Sequence, residues 1–228
     1  MPDAPPNPEL LRSLGRLVRG LSALFWGLPI ALIICVQTAR TEILRVFGVL
    51  PPLVVTSWLL FGLWQLGYFQ KQERIWHSAL DRAKLLAIVN LGLSPFLFWW
   101  SQMPGQPFFM LVVGLMSVTG LLFLSNLNLV LYRLSAMLPD ESLRQETKHF
   151  TLLNRYLVFF ILVLGIVLIT VLRFPSLVPS SAWVVTTLLS NYSIFLLLFL
   201  VLLPLAMTMA LLWKIKEVIL ESVFGQGR

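Results

Sequence analysis

A chain of 228 residues has the length of one domain, but its 58% hydrophobic content and mean hydropathy of +0.86 exceed those of a soluble protein, where apolar residues make up about half. Only 12% of the residues are charged, and they cluster between apolar runs, so the net charge of +7 belongs to the flanks of membrane-crossing helices. No basic patch is interleaved with exposed aromatics, which argues against nucleic acid as a partner, and the single cysteine, Cys35, excludes a disulfide framework or a thiolate metal cluster.

Met1–Pro8 is proline-rich and has no basic n-region, and no small-residue cleavage site lies behind the apolar run that follows Leu21. The segment therefore reads as a short disordered tail rather than a cleaved signal. From Pro8 to Arg19, Leu10, Leu11, Leu14 and Leu17 share one helical face, with Arg12, Arg16 and Arg19 opposite or flanking. That pattern suits either an interfacial helix on an anionic leaflet or the basic flank of a first span. The first span, 21–38, repeats Ala23, Gly27, Ala31 and Cys35 at four-residue steps. Such small side chains let helix backbones approach in lipid, where association depends on van der Waals contact. Pro29 is expected to bend this helix, and Arg40, Glu42 and Arg45 form a polar turn.

The second span, 46–68, begins near Pro51 and Pro52, which predict a proline kink or an interfacial first turn. A charged helical segment, 71–84, leads into span three, 85–102, where Ala87, Asn90, Ser94 and Ser101 lie roughly on one face and Trp99 and Trp100 close the span as an aromatic belt. Residues 104–107 (PGQP) make a tight turn. Span four, 108–132, contains no charge, and Gly114, Ser117, Leu121, Ser125, Asn128 and Tyr132 recur on one face at steps of three and four. A charged hairpin, 133–155, follows, with Ser142 and Gln145 spaced for a capping box. Span five, 156–172, is almost entirely Leu, Val, Ile and Phe, a composition that predicts lipid exposure. An outer loop, 173–183, precedes the last apolar run, 183–213, whose 31 residues would extend about 46 Å and so must tilt, kink at Pro204, or begin as an interfacial turn near Asn191 and Tyr192. Residues 214–224 form an amphipathic end.

The expectation is an all-α polytopic integral membrane protein with six transmembrane helices in three hairpins. Its parts are an N-terminal tail and interfacial helix (1–20), a transmembrane domain (21–213) and a cytoplasmic amphipathic helix (214–228). With both ends inside, fourteen of the seventeen Lys and Arg lie on the cytoplasmic side, and only Arg40, Arg45 and Arg173 lie outside. A 64-residue shift aligns Tyr68 with Tyr132 and Asn90 with Asn154, no more than biased composition produces by chance.

No Asp, Glu, Lys, Arg or His falls in the centre of any span, so the usual groups of proton relays and ion pathways are missing. His77 and His149 both lie in the charged hairpins, no base accompanies the intramembrane serines, and no phosphate-binding glycine loop is present. No catalytic residue, metal site or cofactor is expected. The residues left to recognise anything are uncharged: Asn90, Ser94, Ser117, Ser125, Asn128, Tyr132 and Asn191 form a polar seam that either glues helices together or lines a small cavity, and Ala23, Gly27, Ala31, Cys35 and Gly114 are the helix-packing positions. The functional expectation is a non-catalytic subunit or scaffold of a larger membrane assembly, with a permease or channel for a neutral or lipidic molecule as the alternative. The partners would be membrane lipids and another membrane protein or a second copy, in a bacterial cytoplasmic membrane.

Overall fold

In the computed structural model the described backbone covers 8–41, 43–69, 73–138, 140–173 and 183–224, and side chains are described for these residues except 8–11, 168–169, 171–173, 183–198 and 222–224. The tail before Pro8 and the outer loop, 174–182, lie outside the described residues, as does the side chain of Asn191.

Every regular element among the described residues is helical: α1 (Pro8–Arg40), α2 (Leu50–Leu66), α3 (Arg74–Leu93), α4 (Pro95–Gln102), α5 (Pro107–Ser135), α6 (Glu141–Arg173) and α7 (Trp183–Phe224), with one 3-10 turn at Arg45–Phe47. Among the described residues, five stretches are long and apolar enough to cross a membrane: Arg12–Arg40, Arg74–Gln102, Pro107–Ser135, Glu141–Val167 and Phe199–Glu221. The shorter apolar helix α2 has 17 residues and would span about 26 Å against a hydrocarbon core of about 30 Å.

The basic segment from Pro8 is continuous with the first apolar run, giving one helix of 33 residues through Pro29. At the other end, 214–224 continues α7 without a break. Prolines set several boundaries. Pro51 and Pro107 sit in first turns, where the missing N–H loses no helical bond, and they start α2 and α5. Pro95 separates α3 from α4 because it cannot donate to the Leu91 carbonyl, and the Ser94 hydroxyl fills that role at 2.9 Å. The α6 cap differs from the expected box. Asp140 is the capping residue, its Oδ1 accepting from the backbone N–H of Ser142 (3.0 Å) and Leu143 (3.2 Å) and from the Ser142 hydroxyl (2.7 Å). These bonds, that of the Ser142 hydroxyl first, hold the Asp140 carboxyl below the usual carboxylate range.

In space α1 packs on α2 and α7, α2 on α3, and α3 on α5, while α5 touches both α6 and α7. The core is one cluster concentrated at the end where α1 begins and α7 finishes, here called the proximal end. Leu17, Leu21 and Leu24 of α1, Leu63 and Leu66 of α2, Trp76 and Leu80 of α3, Leu127, Leu131 and Leu134 of α5, and Leu211 and Ile215 of α7 are essentially inaccessible. The α1–α2 pair is drawn together by glycine. A methyl at Gly20 would lie 2.8 Å from the Gly62 carbonyl oxygen, and one at Gly27 would lie 2.9 Å from Leu59 Cδ2. At the opposite, distal end, Phe96, Trp99, Phe108 and Phe109 stack edge-on or tilted around the 104–107 turn, with centroids 5.3–6.4 Å apart, and Arg45 Nη2 donates to Gln102 Oε1 at 2.5 Å.

Candidate functional site: an uncharged polar node

The stripe along α5 spans 18 residues, which is five whole helical turns, so Gly114 and Tyr132 point in nearly the same direction. Its surroundings change along its length. Gly114 and Ser117 are exposed, with no atom within 4 Å of a methyl placed on Gly114, and the Ser117 hydroxyl donates back to Val113 O at 2.9 Å. Ser125 is half-buried. Asn128 is fully buried, and Tyr132 is half-buried with the Arg133 guanidinium 5.8 Å from its ring centroid.

Asn128 is the first member of a three-helix node. Its Nδ2 donates to its own helix at Leu124 O and across to Thr208 Oγ1 on α7, both at 2.8 Å. Asn154 of α6 donates its Nδ2 to the same Thr208 oxygen at 3.2 Å. Thr208 has one hydroxyl proton and gives it to Pro204 O at 2.7 Å, which leaves its lone pairs to accept both amides. Thr151, one turn before Asn154, donates to the backbone carbonyl of Asn128 at 3.3 Å. Asn128, Asn154 and Thr208 are fully buried. The two amide oxygens, Asn128 Oδ1 and Asn154 Oδ1, have no hydrogen-bond partner among the described residues. The node is therefore rich in acceptors and free of charge, and it is a place for a donor rather than for an anion.

A second polar pair joins α3 to α5. Asn90 Nδ2 donates to Leu86 O (2.9 Å), and its Oδ1 accepts from the Thr119 hydroxyl (2.8 Å). Asn90 and Asn128 thus belong to different interfaces. Ser94 is fully buried but serves the α3–α4 junction. Among the small positions, Gly27 and Ala31 are buried in the α1 interface, whereas Ala23 and Cys35 are half-buried. Gly20, outside the expected span, makes the tightest backbone approach.

Thr119, Thr151, Asn154, Thr208, Gly20 and Gly62 are the residues that sequence reasoning passed over. A signal for α6 existed. Thr147, Thr151, Asn154, Val158 and Ile161 are all buried and are spaced four, three, four and three apart, so one inward face runs straight through the segment read as a water-solvated hairpin.

Near the proximal end of the node, Lys214 of α7 and Glu146 of α6 form an ion pair, half-exposed on both sides. No group of three or more His, Cys, Asp or Glu able to hold a metal exists among the described residues. Comparison with protein-family models, curated proteins and solved structures returned no match.

Proposed function

We propose that the chain is a non-catalytic six-helix subunit or scaffold of a larger membrane assembly, with both ends on the cytoplasmic side of a bacterial inner membrane. The orientation follows from the Lys and Arg bias, which places the proximal end inside. The function rests on one observation: the small and polar stripe of α5 is covered by α6 and α7 at Asn128, yet its continuation at Gly114 and Ser117 is bare among the described residues. A seam of this kind is suited to close approach by another helix, because lipid supplies no hydrophobic drive and contact must come from small side chains and hydroxyls. Mild-detergent isolation from native membranes, followed by mass spectrometry, is expected to recover a second chain or a second copy in fixed ratio. Gly114→Leu should abolish that association without lowering the thermal midpoint of the chain. Recovery of a lone monomer under these conditions overturns the reading.

The two unpaired amide oxygens favour a second reading, a permease for a neutral molecule bearing N–H or O–H donors. Flux through liposomes that is lost in Asn128→Leu, with helix content unchanged, would establish it in place of the first.

A further inference from the structure

Close to the proximal end, α1 and α7 leave an open groove of about 560 Å³. Phe25 forms one wall, Ala206 and Ala210 keep the floor shallow, and Met209 and Trp213 complete an apolar lining that rises about 10 Å along α7 from Ala206 to Trp213. Phe25 of α1 and Trp213 of α7 meet within this lining, their ring centroids 5.6 Å apart and inclined at 49°.

The mouth of the groove carries charges of both signs. Lys214 is occupied by Glu146 across the α6 interface. Lys216, beside the groove rather than in its lining, has no ion-pair partner among the described residues, and its Nζ lies 5.5 Å from the centre of the Trp213 ring that does line it. Glu217 does line the groove and has no ion-pair partner among the described residues. Trp213, Lys216 and Glu217 stand at i, i+3 and i+4, so the aromatic, the cation and the carboxylate share one helical face at the depth where apolar side chains give way to charged ones. A purely anionic headgroup would meet Glu217, and a quaternary ammonium has no N–H to offer that carboxylate. A phosphate beside a primary ammonium matches both charges.

We propose that this groove binds one zwitterionic glycerophospholipid of the cytoplasmic leaflet, with its acyl chain along Ala206–Trp213, its phosphate at Lys216 and its primary ammonium at Glu217. The inference rests on the membrane placement and orientation proposed above.

The test uses the full chain in phosphatidylcholine vesicles doped with lipids brominated on the acyl chain. The Trp213 signal is isolated by subtracting the spectrum of Trp213→Phe. At equal mole fraction, brominated phosphatidylethanolamine is expected to quench Trp213 roughly threefold more than brominated phosphatidylcholine, the discrimination a partly exposed charge pair can supply. Glu217→Gln should remove that difference, since an exposed side chain can be changed without disturbing the helix. Native mass spectrometry of wild type and Glu217→Gln provides an independent readout that needs no tryptophan variant: one phosphatidylethanolamine retained by the first and not by the second. Equal quenching by the two lipids, or preference for brominated phosphatidylglycerol, overturns the headgroup assignment while leaving the membrane placement intact. Quenching by none of them refutes the membrane placement of α7 itself, and the lipid site with it.

Discussion

In the proximal half of the bundle, α1 buries Leu17, Leu21 and Leu24 completely, and α5 does the same with Leu127, Leu131 and Leu134. In the distal half of the same two helices, Ile33 and Val36 of α1 and Phe108, Leu111 and Leu115 of α5 are exposed. The side chains are of one kind throughout, so hydrophobicity does not distinguish the ends. Close approach and hydrogen bonding do. The proximal half has Gly20 against Gly62 and two amides sharing one threonine hydroxyl, whereas the distal half has the single Asn90–Thr119 bond near mid-depth, aromatic edges around a turn and an arginine on a glutamine. In a bilayer, where lipid tails solvate leucine as well as another helix does, contact geometry and polar bonds are what remain to choose partners.

The comparison breaks most directly at Gly20. Gly20→Leu drives a branched side chain onto the Gly62 carbonyl and should lower stability by about 3 kcal/mol in denaturant titration of the detergent-solubilised chain, whereas Gly114→Leu should change that value by less than about 0.5 kcal/mol. Equal losses at the two glycines would mean that the halves are packed alike. Next is Thr208→Val, which keeps the shape but strips Asn154 Nδ2 of its partner and Asn128 Nδ2 of its interhelical one. The expected loss is about 2 kcal/mol, read as a lower thermal midpoint, because an amide left unpaired in the interior forfeits its solvation. Asn90→Leu is smaller, at about 0.6 kcal/mol, since the Thr119 hydroxyl retains Leu115 O within 3.0 Å.

The last prediction concerns pH at the start of α6. The carboxyl of Asp140 is held below its ordinary value, so its contribution is complete above the unfolded value of about 3.9 and is lost as pH falls through the lower folded one. Protection of the Ser142 and Leu143 amides, taken relative to their intrinsic exchange rate at each pH, should therefore be present at pH 6 and be lost as pH falls below 4 through the lowered value. Asp140→Ala should lack that protection at both pH values. Protection at pH 6 in the variant would remove Asp140 as the cap.

Helical class, the apolar runs and most proline boundaries were legible from residue patterns, because each depends on local chemistry: a missing N–H, a period of 3.6, a run without charge. Charge density misled at the proximal end. Arg144, Lys148 and Arg155 mark the 133–155 segment as one for water, yet they lie on the outer face of α6 while Thr147, Thr151 and Asn154 face inward, so one helix is wet on one side and packed on the other. Gly20 was passed over because a span drawn by hydropathy begins at Leu21, whereas packing ignores where lipid stops. Thr208 carries no outward mark. Its importance comes from Asn128 and Asn154 arriving from two other helices, a convergence that no pattern within α7 records.

The length of α6 carries a mechanical consequence. Thirty-three residues make a rod of about 50 Å, some 20 Å more than a hydrocarbon core requires, and no proline interrupts it. Its capped end at Asp140 projects beside Lys214, while the buried threonine and asparagine further along act as a fulcrum. Measured from Asn154, the capped arm back to Glu141 is about 20 Å long and the arm out to Arg173 about 29 Å, so a displacement of the capped end that pivoted on the amide node would be carried, enlarged, to the far end of the helix past the exposed wall of Tyr156, Phe159 and Phe160.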